Sequence, residues 1–159
     1  MKTSSVRSAI LLAGLIGLLV SLFATAEFLQ TSLRSFCSIS SFFSCSLVDQ
    51  SGKTTTLGIP DYLWGIGGFV LILVVAGVAE RRPEDTRPAY LLLAITTAGV
   101  AVSLYFLYVE LVEIDAMCVV CLAAYIFGFL AWGGAISLVG KLRTPQPPSD
   151  EGASETTES

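Results

Sequence analysis

Four cysteines are the residues of this 159-residue chain with the most accessible chemistry, and they form two pairs in the sequence, Cys37 with Cys45 and Cys118 with Cys121. Thiols in such pairs can bind zinc, exchange disulfides, staple a loop or simply pack in a core. The chain has no histidine, which removes the commonest metal ligand and the usual general base. A zinc site would require all four thiolates to converge, so we expect no metal and favour disulfide chemistry.

The composition places these cysteines in a membrane protein. Hydrophobic residues make up 53% of the chain and charged residues 14%, a balance that is unusual for a soluble domain. Four apolar segments of about 18 to 24 residues are long enough to cross a hydrocarbon core of about 30 Å as helices. They are residues 8–29, 62–79, 89–112 and 117–139. We therefore expect an all-α integral membrane protein, a four-helix bundle whose glycines let the helices approach closely.

The basic residues predict the orientation of the helices. Seven of the nine lysines and arginines flank the segments on one side, and two, Arg34 and Lys53, lie on the other. Both termini should therefore be cytoplasmic, and the polar loop of residues 30–61, with its two cysteines, should face outside. The turn before the second cysteine pair should face outside too, so that all four thiols collect at the oxidising face of a cell membrane.

Residues 8–140 are predicted to form one membrane domain, and residues 141–159 a disordered cytoplasmic tail rich in proline, serine and acidic residues. The sequence contains no basic stripe that would indicate a nucleic-acid partner, so we expect none. The first segment can also be interpreted as a signal peptide, because Lys2 and Arg7 precede it and the small residues of Ala24–Ala26 resemble a cleavage site. We favour its retention as a helix.

The second cysteine pair suits electron transfer between water and membrane. Cys118 and Cys121 stand three residues apart and so share one face of the fourth helix. We expect that helix to begin near Asp115, a favoured N-cap residue, with Cys118 in its first turn. There the free N–H groups and the helix dipole favour a thiolate, the nucleophile of disulfide exchange. Cys121 would lie about 4.5 Å deeper along the axis. Simple packing remains an alternative for this pair, and a structural staple for the other.

Three stretches of sequence together resemble one family. They are "FCSISSFFSC", in which seven residues separate Cys37 from Cys45, "GIPDYLWG" at the start of the second helix, and "CVVC" followed four residues later by Tyr125. The combination resembles the vitamin K epoxide reductase family in its compact prokaryotic form, over roughly residues 8–140. Bacterial DsbB-like proteins also use four helices, but they usually place Cys-x-x-Cys in the first outer loop, whereas here it opens the last helix.

The resemblance implies a bundle around a membrane quinone of menaquinone, ubiquinone or vitamin K type. It makes Cys37 and Cys45 a shuttle pair on a mobile loop, with Cys37 meeting a thioredoxin-like or DsbA-like protein and Cys45 facing inward. It makes Cys118 and Cys121 the pair that passes electrons to quinone, with Cys121 nearest the ring. Some members carry a fused thioredoxin-like domain. This chain has no further Cys-x-x-Cys, so we expect the redox partner to be a separate protein.

Three further residues are assigned to quinone binding by the same resemblance. Tyr125 matches a tyrosine that approaches a quinone carbonyl, although an interfacial tyrosine would suit the position equally. Trp64 matches the family pattern, and packing is its alternative. Asp61 departs from the family, since vertebrate members carry an asparagine there that donates to the quinone, and an ionised carboxylate cannot donate. Asp61 must be protonated, act through a water, or cap the second helix after Pro60.

The sequence thus predicts a multi-pass membrane thiol:quinone oxidoreductase that reoxidises an extracytoplasmic thioredoxin-like protein and supports disulfide bond formation. Two alternatives stay open. Reduction of quinone or of vitamin K epoxide is one, because reduction potentials decide the net direction of flow. A non-catalytic four-helix scaffold with a disulfide-stapled loop is the other, and it would leave Cys118 and Cys121 without a task.

Overall fold

Four long helices dominate the computed structural model, which describes residues 3–30, 42–45, 48, 55–56 and 58–143. Their bounds are Thr3–Leu29 for α1, Asp61–Arg81 for α2, Arg87–Tyr108 for α3 and Val119–Arg143 for α4. A π-helical turn, Val109–Ile114, extends α3 and is called the π-turn below. A small antiparallel ribbon precedes α2, with β1 at Thr55–Thr56 and β2 at Ile59–Pro60.

Each of the four helices is long and apolar enough to cross a membrane, when the π-turn is counted with α3. Large hydrophobic side chains such as Leu12, Val74 and Leu130 are exposed on the outside of the bundle, as expected where lipid is the solvent. The prediction of an all-α four-helix membrane bundle is confirmed. One boundary was wrong, because residues 141–143 form the last turn of α4 rather than the tail. Residues 144–159 lie outside the described part of the chain.

The helices form a closed ring in which α1 and α3 each pack against both α2 and α4. Short connections between α2 and α3 and between the π-turn and α4 make these neighbours antiparallel. Close packing is concentrated at the end of the bundle that contains the start of α1. There Ile10, Leu92 and Leu138, from three different helices, are almost completely buried. The opposite end, where Cys45, Cys118 and Cys121 lie, is packed less densely among the described residues and contains a cavity.

The glycines have two different roles, which corrects the expectation that all of them serve close helix contacts. A Cβ added at Gly17 would overlap the ring of Phe69, and one added at Gly134 would lie 2.6 Å from Ile10. At these points α1 approaches α2 and α4 too closely for a side chain. Four other glycines line an internal cavity, and a Cβ there would meet nothing within 4 Å: Gly67, Gly68, Gly99 and Gly128. These residues widen the cavity.

Candidate functional site

Cys118 caps the N-terminus of α4. The helix begins at Val119, so the predicted start near Asp115 was wrong. The Cys118 carbonyl accepts the N–H of Leu122 at 2.9 Å, and Cys118 Sγ accepts the N–H of Cys121 at 3.2 Å. A side chain that accepts the N–H of the third helical residue acts as an N-cap. The sulfur of Cys118 therefore faces the positive end of the helix dipole.

Asp115 does not begin α4 because it ends the preceding helix. Glu110 belongs to the π-turn, and its carbonyl accepts the N–H groups of both Asp115 and Ala116. Asp115 has a φ of 53°, in the left-handed region that aspartate tolerates better than most residues. The chain needs this turn to reverse direction. The start of α4 is consequently displaced to Val119.

The loop between α1 and α2 contacts the residues just before α4 through a β-bridge. Phe43 and Met117 form an isolated parallel bridge. The Met117 N–H donates to a loop carbonyl at 2.8 Å, and the Ser44 N–H donates to the Met117 carbonyl at 3.2 Å. The bridge sets the register between the two cysteine-bearing stretches. Cys45 and Cys118 each lie just beyond a bonded residue of this bridge, so they become neighbours.

Three of the four predicted cysteines meet in this way. The Sγ atoms of Cys45 and Cys118 lie 3.4 Å apart, and those of Cys118 and Cys121 lie 2.6 Å apart. Cys45 is engaged in a disulfide bond, whereas Cys118 and Cys121 are free thiols. Cys37 lies outside the described residues. Because Cys118 stands between the other two sulfurs, it can exchange with either of them.

An apolar cavity of about 720 Å³ opens beside the sulfurs. It occupies the less densely packed end of the bundle, between the last turns of α1, the first turns of α2 and α4, and the second half of α3. Its volume lies within the range of about 300–1,000 Å³ that is typical of small-molecule sites. The predicted site residues in the described part of the chain all line it, namely Cys45, Asp61, Trp64, Cys118, Cys121 and Tyr125.

Asp61 combines a helix-end contact with a place on the cavity wall. Pro60 occupies the N-cap position of α2, and Asp61 is the first helical residue. Asp61 Oδ1 accepts the N–H of Tyr62 at 2.8 Å, so the carboxyl group satisfies one free N–H of the helix start without being the N-cap residue. Trp64 is 44% exposed and lines the same cavity, which is unlike a core packing residue.

The sequence prediction missed two acidic residues inside the membrane-spanning helices. Glu110 is 1% exposed. Its Oε1 accepts the Tyr125 O–H at 2.9 Å, and its Oε2 accepts the Cys118 N–H at 3.2 Å. Glu27 is buried near the end of α1 and lines the cavity, and its Oε1 has no hydrogen-bond partner within the described residues. A signal was available, since an ionisable residue inside a membrane segment is by default a candidate functional residue.

The fold and the row of sulfurs define an integral membrane protein with a redox-capable thiol site beside an apolar cavity. The chain matches the model of the vitamin K epoxide reductase family over residues 8–136. It belongs to this family, and the resemblance inferred from the three motifs is confirmed. No curated protein matches the chain. Family membership makes the protein a multi-pass membrane oxidoreductase whose redox function is linked to quinone.

Proposed function

We propose that this protein oxidises a separate thioredoxin-like protein outside the cell membrane and passes the electrons through its cysteines to quinone, thereby supporting disulfide bond formation. The observation that carries the proposal is the row of sulfurs on the cavity wall, with Cys118 at 3.4 Å from Cys45 and 2.6 Å from Cys121. Disulfide exchange requires a thiolate to approach a sulfur of an existing bond. Reacting atoms in bound complexes approach to about 3–3.5 Å.

Electrons would move inward in two exchanges. The partner dithiol first reduces the proposed Cys37–Cys45 disulfide, called the loop disulfide below. Cys37 is the sulfur that the partner attacks. The Cys45 thiolate then attacks Cys118 in the Cys118–Cys121 disulfide, so that a Cys45–Cys118 bond forms and Cys121 leaves as a thiolate. Attack of Cys37 on Cys45 restores the loop disulfide and leaves Cys118 and Cys121 reduced. A disulfide-bonded Cys45 beside a reduced core pair matches this stage, before quinone oxidises the pair.

The position of Cys118 at the N-cap supports its role in both exchanges. The Cys121 N–H already points at Cys118 Sγ, and the helix dipole adds a positive potential there. A thiolate at this sulfur is therefore stabilised when it leaves Cys45. A stabilised thiolate is also the better leaving group, which favours the attack of Cys37 on the Cys45–Cys118 bond.

The residues of the cavity fit a quinone. The wall is mostly apolar, and the four cavity glycines leave space for a flat ring. Tyr125 and Asp61 provide polar groups for its oxygen atoms, and Cys121 lies on the same wall. When bound, quinone supplies the acceptor for two electrons and two protons. The protein positions the reduced thiols beside it, excludes bulk water with the apolar wall and offers the phenol of Tyr125 to an oxygen.

The sulfur-bearing end of the bundle should face outside the cell, with both termini in the cytoplasm. The support is the distribution of basic residues, of which seven flank the opposite end and two lie in the outer loop. A non-catalytic scaffold is disfavoured by family membership and by two free thiols on a cavity wall. Reduction of a vitamin K epoxide would use the same residues. Both activities can be assayed directly by adding quinone or the epoxide to protein with reduced cysteines and measuring the oxidation of its thiols.

The variant Cys121→Ser tests the order of the thiols. Cys118 would then lack the partner with which it re-forms its own disulfide, so it should remain joined to Cys45. Quinone-dependent oxidation of a reduced thioredoxin-like protein in detergent should be lost almost entirely. Non-reducing gels and peptide mapping should show the Cys45–Cys118 bond. Ser137→Ala, an exposed position of the same helix, is the control and should retain activity.

Two other results would contradict parts of this scheme. A Cys37–Cys118 bond in Cys121→Ser would reverse the assignment of the loop cysteines, and full activity of this variant would refute the relay.

The variant Cys37→Ser distinguishes the reaction with the partner protein from the reaction of Cys118 and Cys121 with quinone. A small dithiol should still drive quinone reduction in this variant, whereas the thioredoxin-like protein should not.

A further inference from the structure

Oxidation of two thiols to a disulfide releases two protons as well as two electrons, and reduction of a quinone to a hydroquinone consumes two of each. A path for protons is therefore needed beside the path for electrons. The chain has no histidine, so carboxyl and phenol groups are the available carriers at a membrane-embedded site.

Glu110 connects the thiol pair with the cavity tyrosine. Its two carboxyl oxygens accept hydrogen bonds from the Cys118 N–H and the Tyr125 O–H. Cys121, whose Sγ lies 2.6 Å from that of Cys118, precedes Tyr125 by about one turn of α4. Tyr125 belongs to the cavity wall, whereas Glu110 lies behind it and is 1% exposed. Asp61, at the start of α2, lines the same cavity as Tyr125.

The π-turn makes this contact possible. It places the Glu110 carbonyl at the end of α3 and the Glu110 side chain against the start of α4. A π-helical turn is rare and is found frequently at functional sites. An ionisable side chain inside a membrane-spanning segment is costly to bury. Such a residue is therefore by default a candidate for a functional role.

The charge of Glu110 decides what Tyr125 offers to the cavity. As a carboxylate, Glu110 accepts the tyrosine O–H, and Tyr125 presents lone pairs alone to a ligand. As a carboxylic acid, Glu110 can donate to the tyrosine oxygen, and the Tyr125 O–H is then free to turn toward the cavity. A proton that arrives on Glu110 therefore converts Tyr125 into a hydrogen-bond donor toward a quinone oxygen.

We propose that Glu110 is a proton-transfer residue that takes the proton of Cys121 as the Cys118–Cys121 bond forms and returns one through Tyr125 to a quinone oxygen; this inference rests on the proposed function. Two S–H bonds break, one S–S bond forms, and two electrons pass to quinone. One proton follows the Glu110–Tyr125 path. The proton of Cys118 goes to water at the mouth of the cavity, and water there protonates the other quinone oxygen.

The test is the infrared difference spectrum between the dithiol and disulfide forms of the purified protein in detergent, without quinone or partner. The proton should stay on Glu110 when no quinone is present, so the wild-type spectrum should contain the C=O band of a carboxylic acid. Glu110→Gln should remove this band, because glutamine keeps the size and one accepting oxygen but has no carboxylic acid group. Glu113→Gln changes an exposed carboxyl of the same turn and should keep it.

Quinone reduction gives a second readout. Glu110→Gln should lower it by about 100-fold, as expected for the loss of a general acid–base group, while disulfide exchange between Cys45 and Cys118 continues. A wild-type spectrum without a carboxylic acid band, or an unchanged band or rate in Glu110→Gln, would overturn the proposal. If Glu110→Gln does not fold, Tyr125→Phe replaces it. The carboxylic acid band should then persist at a shifted frequency, and an unshifted band would count against the relay.

These measurements distinguish the two levels of inference. The infrared experiment needs neither quinone nor a thioredoxin-like protein. A wild-type protein that fails to reduce quinone would refute the proposed function, even where its Glu110 band is present. A wild-type protein that reduces quinone at a rate shared by Glu110→Gln would refute the role of Glu110 and leave the proposed function intact.

Discussion

Cys118 has a structural role as the N-cap of α4 and a proposed chemical role as the central thiol, and two substitutions separate these roles. Serine at this position removes the thiol but keeps a side-chain acceptor for the Cys121 N–H. Alanine removes both. Cys118→Ser and Cys118→Ala should therefore be equally unable to sustain quinone-dependent oxidation of a thioredoxin-like protein, and they should differ in stability.

The expected difference follows from the contact between the Cys121 N–H and Cys118 Sγ, which is 3.2 Å long in the wild-type protein. Replacing an N-cap acceptor by alanine costs about 1 kcal/mol, within a range of about 0.5–2 kcal/mol. For a chain of this size, 1 kcal/mol lowers the melting temperature by about 2–4 °C. Cys118→Ala should thus melt about 2–4 °C below Cys118→Ser.

Thermal unfolding in detergent under reducing conditions measures this difference. Cys121→Ser and Cys121→Ala form the matched control pair, since the Cys121 side chain caps no helix. In that pair, alanine should not be the less stable variant, because a serine hydroxyl at a largely apolar site gains no cap. Equal melting temperatures for the two Cys118 variants would refute the N-cap role. Residual quinone-dependent turnover of the partner in Cys118→Ser would refute the chemical role.

Three further predictions concern the bundle and its cavity. Reporter fusions should place Thr86 in the cytoplasm and Gly52 outside, and an outside signal at Thr86 would overturn the orientation. Asp61→Asn should keep quinone reduction, because an amide can both accept and donate a hydrogen bond. Asp61→Ala should lower the rate by about tenfold, the equivalent of one hydrogen bond. Equal rates for the two variants would leave Asp61 with no role toward quinone. Gly17→Ala should lower the free energy of unfolding by about 1–3 kcal/mol through overlap with an aromatic ring, and Gly77→Ala, where a Cβ meets nothing, should not; denaturation in mixed detergent compares them.

The number of helices and the class of protein were predictable from the sequence. A membrane-spanning helix satisfies its own backbone hydrogen bonds, so its length and apolar character are local properties. The predicted segments agree with the helices to within a few residues at most ends. The cysteine motifs, read together with "GIPDYLWG", also indicated the family, because their residue types and spacings are written in the chain.

The helix boundary nearest the chemistry was predicted wrongly. Asp115 has the residue type of an N-cap, and local preference pointed to it. The turn that precedes α4 uses Asp115 in a left-handed conformation instead, and Cys118 takes the capping position. The π-turn ends in the contacts of the Glu110 carbonyl with the N–H groups of Asp115 and Ala116, and these contacts carry the chain past Asp115 before α4 begins.

The sequence by itself determined the four spans, the two thiol pairs and the family. The tertiary structure alone decided which sulfurs meet and what lies behind them. Cys45 and Cys118 are 73 residues apart, and their contact depends on the register of the bridge at Met117. Glu110 reached the site through the same reversal of the chain. Contacts of this kind come from packing between distant segments, and no local pattern of residues encodes the distance between two side chains on different helices.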